Sequence, residues 1–133
     1  MRLEPGVLKI VFSGTFTNAD ISLSVTELGE VERASEVVPH RTLDLRLVDR
    51  LEIDFAGVFA AAETRRRAMV KNPVKSAIIA SDIVQFGFAR MFQTLNDNPQ
   101  VVLAIFGDED SALAWLRLAG VRPPDVAWHP RTS

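Results

Sequence analysis

Residues with strong chemical reactivity are few and widely spaced in this sequence. The two histidines, His40 and His129, each stand beside a proline in a predicted loop or tail, away from any serine and carboxylate in a nucleophile setting. The chain has no cysteine or tyrosine, and no histidine–carboxylate spacing suits a metal ion. We therefore expect no catalytic residues, no metal, no cofactor and no enzymatic activity.

Acidic residues stand instead at the predicted starts of helices. Asp20, Asp54, Asp82 and Asp108 occupy such positions, where a carboxylate accepts hydrogen bonds from free N–H groups and complements the helix dipole. The same carboxylates repel anionic ligands, which argues against a nucleotide or phosphate cofactor. An enzyme remains an alternative if at least two of Asp44, Asp54 and Asp82 converge in one cleft as acid and base.

The segment 13–18, Ser-Gly-Thr-Phe-Thr-Asn, stands between a predicted strand and a predicted helix, as a phosphate-binding loop would. Phe16 occupies a position where a small residue would be needed. The pattern therefore predicts an ordinary turn followed by a helix cap.

Apolar runs and helical spacing alternate along the chain. Residues 7–13, 42–48, 75–81 and 101–107 are predicted strands, and three of these runs are almost continuously apolar, as in strands covered on both faces. About four helices fill the intervals. The sequence thus predicts one α/β domain over residues 1–133, a layered sheet of four to five strands with a core at about 7–120 and a C-terminal tail at 121–133.

The composition bears on where this domain is located and on which partners it binds. Among 133 residues, 47% are hydrophobic and 24% charged, and the formal charge is -2, without the concentrated positive charge that nucleic-acid binding requires. No apolar stretch approaches the ~20 residues of a membrane helix, and the first residues do not resemble a signal peptide. We expect a cytoplasmic protein that neither spans a membrane nor binds nucleic acid.

The predicted third helix carries one large aromatic side chain away from its apolar stripe. The stripe consists of Val84, Phe88, Met91, Phe92 and Leu95. Phe86 falls outside it, on the side of Arg90, which indicates either contact with a partner or subunit, or cover by the chain's own tail with Val126 and Trp128. The basic run 65–67 is predicted to be a solvated helix face.

The order of these elements resembles a known family. Leu-Asp-Leu at 43–45, Asp-Phe-Ala-Gly at 54–57, Ala-Arg-Met-Phe-Gln at 89–93 and the acidic helix start at 108–110 are similar to the SpoIIAA-like branch of the STAS superfamily, which is related to Sec14-type lipid-binding domains. The resemblance covers most of the chain, from about residue 7 to residue 120. It implies a SpoIIAA-like fold.

In regulatory STAS proteins an Asp-Ser-x-Gly motif carries the phosphorylated serine. The corresponding stretch of this chain is Asp54, Phe55, Ala56 and Gly57, and Phe55 has no hydroxyl to accept phosphate. We therefore expect a non-catalytic interaction or regulatory module that binds a protein partner or itself, plausibly as a homodimer. Its candidate partner surfaces are the 54–57 helix start and the face with Phe86 and Arg90. The alternative is a small-molecule or lipid-binding domain with an apolar pocket, to which the eight phenylalanines would contribute.

Overall fold

The structure, a computed structural model, describes residues 1–4, 6–120, 123, 124 and 128. In chain order the described elements are β1 (Arg2–Glu4), β2 (Val7–Thr17), α1 (Asn18–Ala34), β3 (His40–Glu52), α2 (Phe55–Arg66), β4 (Val74–Ile79), α3 (Ile83–Leu95), β5 (Val101–Phe106) and α4 (Glu109–Arg117). The strands form one sheet in the order β1-β2-β3-β4-β5. Strands β2 to β5 are parallel, and β1 pairs antiparallel with β2. The layered α/β sheet predicted from the sequence is confirmed.

The strand order determines where the helices lie. Each parallel strand pairs with the next one along the chain, so right-handed crossovers place α1, α2 and α3 on the same face of the sheet. Ile78, Leu103 and Ile105 point to that face and pack with Ile21 of α1 and Ala89 of α3. Ala77, Ala104 and Phe106 point the other way and pack with α4. One face is therefore covered by three helices and the other by a single helix.

The helix starts follow the predicted capping chemistry. Thr17 and Asp20 form a capping box at the start of α1, in which each side chain accepts from the backbone N–H of the other residue. Asp54, Asp82 and Asp108 each accept the backbone N–H three residues further on, at 2.8 Å. These local interactions confirm the predicted helix starts.

Strands β2 and β3 extend well beyond their neighbours, which corrects two predictions. Their ladder continues from Val7 opposite His40 to Thr17 opposite Glu52, with register shifts near Gly14, which has φ 70°. Segment 13–17 is therefore strand rather than a turn, and Phe16 is a core residue. His40 begins a strand instead of lying in a loop, because backbone pairing with β2 extends it.

Helix α3 buries only part of its predicted apolar stripe. Phe88 and Phe92 pack against the core, as the stripe predicts. Val84 is 62% exposed and Met91 is exposed as well, whereas Gln85 and Ala89 are buried. Gln85 anchors the first turn, because its Oε1 accepts from the backbone N–H of Ser81 at 2.8 Å and its Nε2 donates to the Val48 carbonyl at 3.1 Å. These polar contacts hold Gln85, which is not part of the predicted stripe, on the buried side of the helix.

On the opposite face, α4 packs tightly against the sheet around a buried lysine. Trp115 is buried, as its helical spacing predicts, and stacks on Phe106 with ring centroids 5.5 Å apart. Lys75 extends beneath the helix and donates to the carbonyls of Trp115 at 2.9 Å and Leu118 at 2.6 Å. Its ammonium also lies 5.4 Å from the Trp115 ring centroid. The lysine thereby satisfies the last turn of α4 and its negative dipole end.

Candidate functional site

The 54–57 stretch forms the first turn of α2 beside the start of α1. Asp54 accepts from the Gly57 backbone N–H at 2.8 Å and from the Asn18 side-chain amide at 3.2 Å. These hydrogen bonds, the first of them most of all, lower the pKa of Asp54 below its ordinary value. Asp54 is therefore an ionised helix cap.

Gly57 makes room for a side chain of the neighbouring helix. A Cβ at this position would collide with the side-chain amide of Asn18, the same group that binds Asp54. The glycine lets α1 and α2 start side by side at one edge of the sheet.

Next to this polar contact lies an apolar surface. Phe55 is 61% exposed and Phe59 is 45% exposed, and their rings stack with centroids 5.9 Å apart and an interplanar angle of 28°. Ile83 and Val84 at the start of the neighbouring helix α3 are also exposed. Because α2 and α3 both begin at the carboxyl edge of the parallel sheet, these side chains lie at the same end of the molecule. We call the two stacked rings the Phe55–Phe59 pair.

Phe86 and Arg90 lie on the side of α3 that faces β5, away from the Phe55–Phe59 pair. The half-buried Phe86 ring stacks on Trp128 with centroids 4.4 Å apart, and the Trp128 indole donates to the Ala80 carbonyl at 2.9 Å. Arg90 is exposed and donates to the Gln93 amide oxygen at 2.7 Å. The chain's own tail thus covers part of Phe86, as the second interpretation of that residue expects, while Val126 lies outside the described residues.

The carboxylates considered as acids or bases are engaged separately. Asp44 forms a two-point ion pair with Arg46, at 3.0 Å from Nε and 2.7 Å from Nη2. Asp54 and Asp82 cap different helices. His40 accepts the Lys75 backbone N–H at Nδ1, 2.9 Å away, and burial, followed by the charges of Lys75 and Arg41, lowers its pKa. His129 lies outside the described residues.

A buried ion triad escaped the sequence analysis. Glu32 of α1 accepts from Arg41 of β3 at 2.9 Å and from both terminal nitrogens of Arg65 of α2. All three side chains are buried, so Arg65 does not belong to a solvated face as predicted, although Arg66 and Arg67 are exposed. One signal was available, because Arg65 follows Val58, Ala61 and Ala62 at helical spacing and so shares their buried face.

The charges within the triad are unevenly balanced. Burial opposes ionisation of Glu32, but hydrogen bonds and charge from Arg65 and then Arg41 outweigh it and lower the pKa of the carboxyl. Burial and the neighbouring Arg65 lower the pKa of Arg41 to about 10, although Glu32 counteracts both. Two cations share one carboxylate, which leaves a net charge of about +1 below the surface.

A small cavity adjoins the triad between α1, α3 and the sheet. Its volume is about 60 Å³, and its walls are mainly apolar. The lining comprises Phe12, Phe16, Ile21, Ser24, Val25, Leu28, Arg41, Leu43, Leu45, Arg65, Ser76, Ile78, Phe88, Phe92, Asn96 and Leu103. Asn96 is only 7% exposed, and its Oδ1 has no hydrogen-bond partner among the described residues. The cavity combines an apolar interior with unbalanced polar groups.

The described part of the chain holds neither a cluster of metal ligands nor a helix that could span a membrane. No cluster of three or more histidine or acidic side chains that could hold a metal ion occurs among those residues. Within the same residues, no helix has the length and apolar character needed to cross a bilayer.

Comparisons with known proteins establish the fold. No protein-family model matches the chain, and no curated protein matches it. It is similar to the crystal structure of an uncharacterised DUF3478-family protein with a SpoIIAA-like fold from Shewanella loihica PV-4. That similarity has a TM-score of 0.52 at 17% sequence identity, over 81% of this chain and 82% of that chain. The chain therefore has the SpoIIAA-like α/β fold that the sequence resemblance implied.

Proposed function

We propose that this chain is a non-catalytic SpoIIAA-like module that acts by association, in the first place with a second copy of itself, through the Phe55–Phe59 pair. The observation that carries the proposal is the exposure of two stacked phenyl rings on one helix face. Exposed aromatic pairs are unfavourable in water, and burying each ring at an interface gains free energy in proportion to its apolar area.

A twofold dimer suits this surface. The same patch on two copies brings like rings together, so one self-complementary contact covers both pairs. Phe55 also occupies the position at which the family resemblance places a phosphorylated serine. A partner that binds this helix start would contact the phenyl ring of Phe55, and its binding would not depend on phosphorylation.

Sedimentation equilibrium over a concentration series tests the proposal. We expect wild-type protein to dimerise and Phe55→Ser/Phe59→Ser to weaken dimerisation by about tenfold or more, as for a central aromatic contact. The matched control is Leu23→Ser/Val37→Ser, which removes two exposed apolar side chains elsewhere. A wild type that stays monomeric, or a control that weakens dimerisation equally, contradicts the proposal.

The cavity favours a second candidate function, binding of a small apolar ligand. Side chains of all three helices, including Leu28, Arg65 and Phe88, face the strands across this space, so the helices enclose a volume that their side chains do not fill. Native mass spectrometry of the purified chain should then detect a small bound molecule that denaturing conditions release. Protein that carries no added mass and responds to no apolar probe contradicts this function.

A further inference from the structure

The cavity beside the ion triad is mostly apolar, but polar side chains also line it. Arg41, Arg65, Ser76 and Asn96 all border the space. A cavity that serves only as a packing defect is normally apolar and empty, whereas buried polar groups normally have partners. Polar side chains bordering an apolar space are typical of ligand sites, where a few such groups fix the orientation of the ligand.

The charges around the cavity indicate which sign of charge a bound ligand would carry. Arg41 and Arg65 share Glu32, and Arg41 also donates from Nε to the Ser76 hydroxyl at 3.4 Å, a long and weak hydrogen bond. A buried cation is stable when an anion balances it, and one carboxylate cannot balance two guanidinium groups. The excess positive charge favours an anionic occupant of the space that Arg41 borders.

Asn96 provides an independent indication. Its side-chain oxygen is buried without a partner in the described chain, and the residue lines the same cavity. An unpaired buried acceptor costs about 1–3 kcal/mol, which a water molecule retained beside the ligand would recover, because a carboxylate has no donor of its own. The polar requirement of the cavity therefore does not depend on the triad alone.

The volume limits the occupant. A water-sized group requires roughly 10–15 Å³ by the same measure, so the cavity of about 60 Å³ holds about four to six non-hydrogen atoms. This is the size of a short carboxylic acid and far below that of a long-chain lipid. Phe16, Phe88 and Leu103 would surround its hydrocarbon part.

From these observations we infer that the cavity binds a short-chain monocarboxylate, with its carboxylate at Arg41 and its hydrocarbon among the apolar walls. The inference rests on the second candidate function, since it names the ligand class for that cavity. A carboxylate adds charge-assisted hydrogen bonds that a neutral head group of the same length does not make. A cationic head group would meet the excess positive charge and be repelled.

A series of four-carbon probes tests the charge requirement on wild-type protein. Butyrate, 1-butanol and butylamine differ in the head group, and binding is followed by titration of the protein's methyl NMR signals. We expect butyrate to bind about tenfold more tightly than butanol, with no binding of butylamine and weaker binding of decanoate. Arg41 variants are not needed, so loss of folding cannot confuse the result.

A variant pair places the ligand in the cavity. Ser24→Leu adds apolar volume to the lining, whereas Ser22→Leu adds the same volume at an exposed position of α1. We expect the first to lose butyrate binding while its thermal unfolding temperature is maintained, and the second to bind as wild type does. Unchanged binding by Ser24→Leu overturns the assignment to this cavity.

The outcomes separate this inference from the function it rests on. If no four-carbon probe binds, both the ligand-binding function and the carboxylate assignment are wrong. If butanol binds as tightly as butyrate and Ser24→Leu abolishes both, the cavity is a ligand site and only the carboxylate assignment is wrong.

Discussion

The two faces of the sheet bury cationic side chains in opposite ways. Under α4, the Lys75 ammonium donates to two carbonyls at the end of a helix that is closely packed against the strands. Under α1, α2 and α3, two guanidinium groups converge on Glu32, and a cavity remains beside them. Backbone carbonyls at a helix end thus satisfy a cation within one closed layer. The Glu32 carboxylate of α1 instead joins its helix to β3 and α2, but one positive charge remains unbalanced and the side chains leave space beside it.

Removing the shared carboxylate should produce the largest effect. Glu32→Gln leaves two buried guanidinium groups without an anion, and we expect a loss of about 3–5 kcal/mol in the free energy of unfolding, measured by urea denaturation. Glu63→Gln is the control, because Glu63 pairs with Arg66 at the surface, at 2.9 Å, where water screens the pair and little change is expected. Equal losses in the two variants would mean that the triad contributes nothing special.

The lysine on the other face should show a smaller effect. Lys75→Met leaves the Leu118 carbonyl without this donor and removes one of the two donors of the Trp115 carbonyl, and we expect a loss of about 2–3 kcal/mol.

An exposed lysine offers a close control for that substitution. Lys71 donates to the carbonyls of Arg33 and Ser35 at the end of α1, at 3.0 and 2.7 Å, so water can replace it in Lys71→Met. If Lys71→Met lowers the free energy of unfolding as much as Lys75→Met does, burial under α4 is not the cause of the loss.

Two buried asparagines sharpen the comparison further. Asn96→Leu removes an acceptor that has no partner in the described chain, and we expect it to raise the free energy of unfolding by about 1 kcal/mol. Asn98→Leu should lower it by ~1–3 kcal/mol, because Asn98 donates to the carbonyls of Arg65 and Ala68 at 2.9 and 3.0 Å. Thermal unfolding measures both, and destabilisation by Asn96→Leu would reveal a bound water or ligand at that amide.

The smallest effect concerns pH. The pKa of His40 is lower in the folded chain than its ordinary value of about 6.5, so the unfolded chain binds more protons and stability should decrease as the pH falls below about 6.5. His40→Asn keeps an acceptor near the Lys75 N–H but does not titrate, and should flatten the dependence between about pH 5 and pH 7. An unchanged slope would assign the dependence to other groups.

Glu32 contributes separately to the dependence of stability on pH, at more acidic values. Its pKa is lowered by folding, so its contribution is present above the unfolded pKa of about 4.3 and is lost as the pH falls through the folded value.

Local chemistry made much of the fold predictable. Asp54, Asp82 and Asp108 act on N–H groups three residues away, so their roles can be read directly from sequence. The apolar runs around Ile78 and Ile105 are strands as predicted, although the second, β5, lies at the edge of the described sheet instead of its centre. Such features depend on neighbours in the chain, and they were predicted correctly.

Features that depend on distant partners were missed. The extension of β2 through Gly14 requires pairing with β3, and the buried Gln85 of α3 has its partner in the distant Val48 carbonyl. The triad brings Glu32 and Arg65 together across 33 positions of the chain. Helical spacing indicates that Arg65 is buried but not that it pairs with Glu32, so the cavity and its charge could be found only in three dimensions. By contrast, the sequence pattern alone placed Phe55 at a helix start, and Phe55 is exposed there.

The contact between Asn18 and Gly57 restricts how this sequence can change over time. Position 57 can gain a side chain only if the exposed amide of Asn18 turns away or residue 18 becomes smaller, because that amide occupies the space that the new Cβ would need. Substitutions at the two positions are thus expected to be coupled. Loss of Asn18 also removes a hydrogen bond from Asp54, so lineages that take this route should compensate at the beginning of α2.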